Sequence, residues 1–305
     1  MARVVVAGAT GTIGRALVDA LAARSDEVVA LSRNPDAAPH MGTATLVEWG
    51  DPKRSPPPAN ALADADAVVS LMGEPLAQRW SEAAKREIRD SRVLGTRSLV
   101  EGMRALSPEA RPSTFVSQSA TGFYGARGEE LLDERAGPGS DFPAQVVADW
   151  EREAAAAEGL ARVALTRTGV VLSPRSGALA EMIGPFRLGL GGPAAGGRQF
   201  VSWIHIDDVV GGILHCLDVE SLRGPVNLTA PAPVTNGELS KALGRALRRP
   251  AVVPVPGFAL RLAYGEMSTV VTTGHRVIPE RLLEAGYRFR HPDLDAALRD
   301  VLRRW

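Results

Sequence analysis

The sequence predicts an α/β fold in which a doubly wound parallel sheet carries a small mixed α/β cap toward the C-terminus. Two observations lead to this prediction. Short apolar runs alternate with helix-like segments over the first half of the 305-residue chain, a pattern typical of parallel strands joined by helices on both faces of a sheet. Beyond about residue 169, glycine-rich and proline-punctuated stretches separate short amphipathic helices, which indicates a smaller unit of different architecture.

The predicted strands are short and largely apolar, as expected for strands that are buried on both faces. They cover residues 4–7, 28–31, 44–48, 67–71, 114–117, 163–168 and 225–229. Helices are predicted at residues 15–23, 80–106, 144–158, 237–247 and 294–302, and a glycine-rich loop at 188–197. These elements predict a sheet domain over residues 1–168 and about 204–230, and a cap over about 169–203 and 231–305.

The turn after the first predicted strand contains three glycines at a spacing of three residues. Gly8 is suited to the tight turn, Gly11 to close approach of a phosphate, and Gly14 to close packing of the following helix on the strand. The first helical turn then offers backbone N–H groups and a positive dipole end to a pyrophosphate. We therefore predict a Rossmann-type dinucleotide site with Thr10, Thr12 and Ile13 among its contacts; a purely structural turn is the alternative.

Composition excludes several other classes of protein. The chain has 35 basic and 35 acidic residues, so no basic surface for nucleic acid is indicated. Cys216 is the only cysteine, which rules out an internal disulfide and fits a reducing compartment. No apolar run is long enough for a membrane span, and because Met1 to Arg3 lead directly into the first strand we expect no signal peptide. We expect a cytoplasmic protein with a small-molecule substrate, and a homodimer is one assembly the sequence allows.

Several stretches resemble one family closely. The glycine turn, residues 119–125 and residues 203–209 occur in the order found in extended short-chain dehydrogenases/reductases, which include sugar-nucleotide epimerases. An uncharacterised subgroup, named epimerase-family or cell-division-inhibitor-like, is similar over nearly the whole chain and has a C-terminal domain of unknown function. The stretches that carry this closer resemblance are residues 73–76, 91–96, 186–192, 254–256 and 281–287. The resemblance implies a Rossmann fold with a small cap and a bound NAD(P).

The end of the second strand predicts which dinucleotide is bound. A carboxylate at this position hydrogen-bonds the free 2′-hydroxyl of NAD, whereas a cation accommodates the 2′-phosphate of NADP. Here Ser32 and Arg33 follow the strand, and the first carboxylate is Asp36. The planar guanidinium of Arg33 suits a phosphate. We predict NADP rather than NAD, with Met72 and Gly73 facing the cofactor after the fourth strand; a solvated turn arginine is the alternative.

The catalytic pair of the resembling family is absent. Short-chain dehydrogenases normally use Tyr-x-x-x-Lys, in which the tyrosine exchanges a proton with the substrate and the lysine holds the nicotinamide ribose. None of the three tyrosines has a lysine four residues later. Ser119 matches the family's serine near the reacting oxygen and is our first catalytic candidate, together with Tyr124. Thr121 and His205 are weaker candidates. A backbone-capping role for Ser119 and a packing role for Tyr124 are the alternatives.

The segment around His205 combines a histidine with two acids but predicts no metal site, because no second histidine lies at ligand spacing. Asp207 or Asp208 is expected to cap a helix that runs to about residue 217, with His215 and Cys216 in the core. Lys85, near Trp80 at the start of the long helix, could contact a phosphate or an acidic substrate, but a solvated residue is the simpler expectation.

Two functional hypotheses follow from the sequence. The first is an NADP-dependent oxidoreductase or epimerase that acts without Tyr-x-x-x-Lys on a small polar substrate, with nucleotide-linked compounds as one option. The second is an NAD(P)H-binding regulator or sensor with little or no turnover, which needs only different affinities in two conformational states.

Overall fold

The computed structural model describes residues 1–173 and 177–304. Its centre is a seven-stranded sheet in the order β11-β7-β5-β4-β1-β2-β3, in which every neighbouring pair is parallel. The strands of this sheet are β1 (Arg3–Ala7), β2 (Glu27–Ser32), β3 (Thr45–Glu48), β4 (Ala67–Ser70), β5 (Thr114–Ala120), β7 (Arg162–Thr168) and β11 (Gly224–Leu228). All seven predicted strands are confirmed, with ends shifted by up to three residues.

Helices cover both faces of this sheet. The helices of the described residues, including those that lie outside the sheet, are α1 (Thr12–Ala23), α2 (Ala59–Leu62), α3 (Glu82–Ala105), α4 (Phe142–Ala155), α5 (Ala178–Arg187), α6 (Ile206–Asp218), α7 (Asn236–Leu247), α8 (Gly257–Tyr264), α9 (Ser268–Thr272), α10 (Glu280–Glu284) and α11 (Leu294–Arg303). On one face α1 packs against α6, and on the other α3 packs against α4. Separate apolar clusters fill the two faces, so the sheet is doubly wound as predicted.

A third apolar cluster lies outside the sheet. It joins α5, α7 and α11 around the buried Trp203, and α7 packs against α11. Short two-stranded pairs complete this region: β10 (Trp203–His205) with β8 (Val170–Leu172), β12 (Val234–Thr235) with β9 (Phe200–Val201), and β13 (Arg276–Val277) with β6 (Leu131–Leu132). These elements confirm a mixed α/β unit built largely from the C-terminal part; the domain limits given above stay a prediction.

The start of the long helix α3 is determined by a side-chain cap. Ser81 accepts a hydrogen bond from the backbone N–H of Ala84 and so caps the helix, which therefore begins at Glu82 rather than at Trp80.

The segment 188–197 contains no regular helix or strand, as its glycines predicted. Among the described residues, no helix combines the length and the apolar character needed to cross a membrane.

Candidate functional site

The glycine turn between β1 and α1 requires glycine at two positions for steric reasons. Gly8 has φ +79°, and a Cβ there would lie 2.7 Å from the backbone of Leu71. A Cβ on Gly14 would lie 2.3 Å from the carbonyl oxygen of Gly8. The turn is closed by the N–H of Gly11, which donates to that same oxygen at 3.1 Å, and α1 begins with no side-chain cap. This geometry brings the helix N-terminus close to the end of the sheet.

Two cavities meet at this turn and together form a groove across the carboxyl ends of the strands. Both are lined by Gly8, Gly11 and the segment 71–74. The smaller, of about 230 Å³, extends over β2 and β3; the larger, of about 540 Å³, extends over β5 and into the C-terminal unit. Such a groove at the strand ends is where ligands bind in open α/β sheets.

The smaller cavity contains Thr10, Ser32 and Arg33. Arg33 is exposed, and within the described residues it has no carboxylate partner. Lys53, which the sequence interpretation did not single out, also lines this cavity and pairs with Glu87 at 2.9 Å. Lys53 follows β3 by only five residues, so the position of the third strand end was the signal that could have identified it.

The larger cavity contains Thr12, Ile13, Gly14, Ser119 and Thr121. Met72 and Gly73 line both cavities. All ten predicted cofactor contacts therefore lie along the groove. Whether each of them touches a cofactor stays a prediction.

Ser119 lies at the end of β5 and is fully buried. Its hydroxyl donates to Glu151 Oε1 at 2.6 Å, and Arg167 holds the same carboxylate through two bonds of 2.8 Å. A serine has a single hydroxyl proton, and here that proton points to Glu151. Ser119 consequently offers the cavity an acceptor rather than a donor. Sequence reasoning missed Glu151 and Arg167, because neither belongs to a local motif.

Tyr124 is placed away from the cavity. Its side chain is fully buried, its hydroxyl donates to Asn227 Oδ1 at 2.7 Å, and it accepts a bond from Arg167 Nη1 at 3.0 Å. Burial raises the pKa of the phenol, despite the nearby guanidinium. It does not line either cavity. This position gives no geometric support for a direct part in catalysis and matches the packing alternative.

Thr121 and Arg92 supply polar groups to the larger cavity. Thr121 is buried in its wall, and its hydroxyl has no hydrogen-bond partner among the described residues. The Arg92 guanidinium packs against Gly73 and lies 5.4 Å from the Trp150 ring. Arg92 Nη1 donates to the Ile88 carbonyl at 3.0 Å, and no carboxylate of the described chain pairs with it. Burial lowers its pKa to about 10, which still leaves it charged at neutral pH.

The predicted cap of α6 by Asp207 or Asp208 is wrong. The cap is His205, whose Nδ1 accepts from the N–H of Asp207 at 3.1 Å, rather than either aspartate. Asp208 instead accepts from the N–H groups of Arg290 and His291, and so fixes the C-terminal segment. His205 is fully buried and lines neither cavity. Burial lowers its pKa to about 4.

His205 also belongs to a cluster with Asp207, His291 and Asp300, whose potential ligand atoms lie within 4.8 Å of one another. The second histidine comes from a distant part of the chain, which a search for short ligand spacings cannot detect. Because His205 Nδ1 accepts a backbone N–H, its neutral ring carries its proton on Nε2, which then has no lone pair for a metal. Arg304 pairs with both aspartates. The arrangement is accounted for as a structural ion-pair cluster.

Lys85 and Trp80 lie apart from both cavities. Lys85 pairs with Glu266 at 2.5 Å, and Trp80 is buried against Phe142. Cys216 is buried as expected, which raises its pKa to about 12, whereas His215 is only partly buried.

Comparison with known proteins identifies the family. The model of the NAD dependent epimerase/dehydratase family matches residues 4–228, and that of a domain of unknown function, DUF1731, matches residues 255–301. The chain belongs to the NAD dependent epimerase/dehydratase family. Within it, the SDR39U1 homolog of Arabidopsis thaliana, named chloroplastic, is 40% identical over 97% of this chain and 86% of that protein. Bovine epimerase family protein SDR39U1 is 38% identical over 98% of this chain and 99% of that protein.

Solved structures of this family show the same architecture. Human epimerase family protein SDR39U1, crystallised with NADPH, has a TM-score of 0.90 and 33% identity, covering 99% of this chain and 100% of that chain. A nucleoside-diphosphate sugar epimerase from Corynebacterium glutamicum has a TM-score of 0.78 and 33% identity, covering 99% of this chain and 58% of that chain. The predicted resemblance is thus confirmed. The cytoplasmic location stays a prediction, since one relative is named chloroplastic.

Proposed function

We propose that this epimerase-family protein binds NADPH along the groove and uses it to reduce a substrate in the larger cavity. The observation that carries the proposal is the continuity of the groove from Arg33, across the glycine turn, to the polar groups around Thr121. No carboxylate in the described part of the chain pairs with Arg33. The human relative crystallised with NADPH supports the choice of cofactor.

The smaller cavity would hold the adenosine half. Arg33 is suited to the 2′-phosphate because its guanidinium is exposed and none of the described carboxylates pairs with it to compete with the ligand. Ser32 adds a hydroxyl whose oxygen accepts from the N–H of Asn34 at 3.3 Å, which leaves its proton for a phosphate. The pyrophosphate would then lie at the N-terminus of α1, where Gly11 and Gly14 allow close approach.

The larger cavity would hold the nicotinamide half, and Arg92 is the residue suited to position it. Its guanidinium has five N–H donors, of which one is used by Ile88, and it lies beside Gly73 at the end of β4. It could therefore hold the nicotinamide ribose, which is the task of the lysine in Tyr-x-x-x-Lys. NADPH, when bound, supplies the hydride.

Thr121 is our candidate donor to the substrate oxygen. Its hydroxyl proton is uncommitted, whereas that of Ser119 is directed to Glu151 and Tyr124 is buried elsewhere. The negative charge that develops on a reduced carbonyl oxygen would be stabilised by this hydroxyl. Ser119 would accept a hydrogen bond from the substrate or from a water that delivers the proton.

The proposal is tested by following NADPH absorbance with a panel of carbonyl compounds and sugar nucleotides. Thr121→Val should lower kcat by about 10²-fold, as for the loss of one oxyanion donor, and Thr121→Ser should restore most of it. Ser119→Ala should have a smaller effect. Ser117→Ala is the matched control, because Ser117 is equally buried on the same strand but lines neither cavity.

The outcomes separate the two hypotheses. Turnover that survives both Thr121→Val and Ser119→Ala would remove these residues from the mechanism. Tight NADPH binding with no turnover on any compound would favour the sensor, which requires no proton donor at the nicotinamide.

A further inference from the structure

The part of the larger cavity beyond the glycine turn is lined mainly by apolar side chains. They come from α4, from α5, β9 and α7 of the C-terminal unit, and from the short helix α9. Representative residues are Val146, Leu179, Met182, Val201, Leu239 and Val271. This wall is therefore supplied by five separate elements.

Charged groups are confined to the cofactor end. Among the described lining residues, the titratable side chains are Glu74, Arg92 and His275. Glu74 and Arg92 lie beside Gly73, where the groove turns toward the smaller cavity. Burial lowers the pKa of His275, so its ring is neutral at pH 7, and its Nδ1 contacts the Gly125 carbonyl. Arg276 stacks on the Phe200 ring at 5.2 Å but does not line the cavity.

This distribution of charge is unsuited to a nucleoside diphosphate. A diphosphate that leaves water needs cationic partners or fixed N–H donors, because an unpaired buried charge is strongly disfavoured. Arginine forks usually supply them. An uncharged apolar molecule, in contrast, gains free energy from every apolar surface it covers. The cavity of about 540 Å³ also has to hold the nicotinamide half of the cofactor, so only part of it is left for a compact substrate.

We propose that the substrate is an uncharged carbonyl compound with an apolar, ring-sized body, and not a nucleotide sugar. The inference rests on the proposed function. In the reaction, a hydride from NADPH bonds to the carbonyl carbon, the π electron pair of the C=O bond moves to oxygen, and a proton from water reaches that oxygen through Thr121. The products are an alcohol, NADP⁺ and the hydroxide left by the water, which the solvent neutralises.

Binding to the preformed NADP⁺ complex tests the substrate class directly. Benzophenone serves as the apolar probe and UDP-glucose as the nucleotide-sugar probe, each followed by saturation-transfer NMR and calorimetry. We expect benzophenone to bind. UDP-glucose should give no binding heat even at about 1 mM, a concentration at which weak ligands are still detected. Met182→Arg, which adds a cation to the half-buried wall, should weaken benzophenone at least tenfold, whereas Met182→Leu should retain it.

Each outcome has a definite meaning. Binding of UDP-glucose to the wild-type complex would overturn the inference, and so would failure of both probes to bind. Benzophenone binding that Met182→Arg leaves unchanged would show that the probe occupies another place and would also contradict it. The NADP⁺ complex is first prepared by titration of the protein with NADP⁺. A protein that binds no dinucleotide in this titration contradicts the proposed function before either probe is added, so the two failures are distinguishable.

Discussion

The buried ion pair between Glu151 and Arg167 gives the sharpest prediction for stability. The Glu151 side chain is 10% exposed and the Arg167 side chain 4%, and two hydrogen bonds of 2.8 Å join them. Glu151→Gln preserves the shape but removes the negative charge. The guanidinium is then left buried without its counter-ion, which typically costs about 3 kcal/mol or more. For a chain of this size, that loss lowers Tm by about 5 °C.

The matched control lies on the same helix. Glu153 pairs with Arg97 at 2.6 Å, but their side chains are 18% and 49% exposed, so solvent screens the pair. Glu153→Gln should lower the free energy of unfolding by less than about 1 kcal/mol. Thermal and urea unfolding of both variants compare the two effects. Equal stability of Glu151→Gln and Glu153→Gln would show that burial does not determine how strongly this ion pair stabilises the fold.

Three further predictions concern other positions. Tyr124→Phe removes two buried hydrogen bonds and should lower the free energy of unfolding by about 1–3 kcal/mol, while the Kd for NADPH stays within twofold. A large loss of NADPH affinity would indicate that Tyr124 takes part in the site. Gly14→Ala places a Cβ 2.3 Å from the Gly8 carbonyl oxygen and should weaken both stability and NADPH binding; an unchanged titration would contradict the close packing of α1. Burial lowers the pKa of His205 from the ordinary 6.5 to about 4, so the unfolded chain binds a proton that the folded chain does not. The contribution of neutral His205 to the free energy of unfolding is therefore complete above pH 6.5 and falls by about 3 kcal/mol toward pH 4. Urea unfolding at each pH measures this dependence, and His205→Asn should make it flatter between pH 4 and 6.5.

The sequence predicted the sheet and the glycine turn because local patterns determine both. Buried parallel strands are apolar runs, and the positive φ of Gly8 and the contact at Gly14 admit only glycine. The capped start of α3 was missed by two residues, since Ser81 closes the helix through a side-chain bond rather than through the apolar pattern.

The polar interior of the site could not be predicted in the same way. Ser119 meets Glu151 and Arg167 across three elements, and Asn227 reaches Tyr124 over 103 positions in sequence. Only the folded chain shows that the serine proton is already committed and that the tyrosine is enclosed. His291 reaches His205 from the C-terminal segment for the same reason, at 3.7 Å between ring centroids. Long-range contacts of this kind leave no spacing signal.

The proposed selection of NADPH by Arg33 in the groove is tested by calorimetric titration of the two reduced dinucleotides. Charge-assisted bonds to a phosphate contribute about 1.5–3 kcal/mol, so wild-type protein should bind NADPH at least about tenfold more tightly than NADH. Arg33→Asp should weaken NADPH by more than about tenfold and leave NADH nearly unchanged, whereas Arg54→Asp, at an exposed arginine outside the cavity, should alter neither. A wild-type protein that binds NADH as tightly as NADPH would contradict the claim.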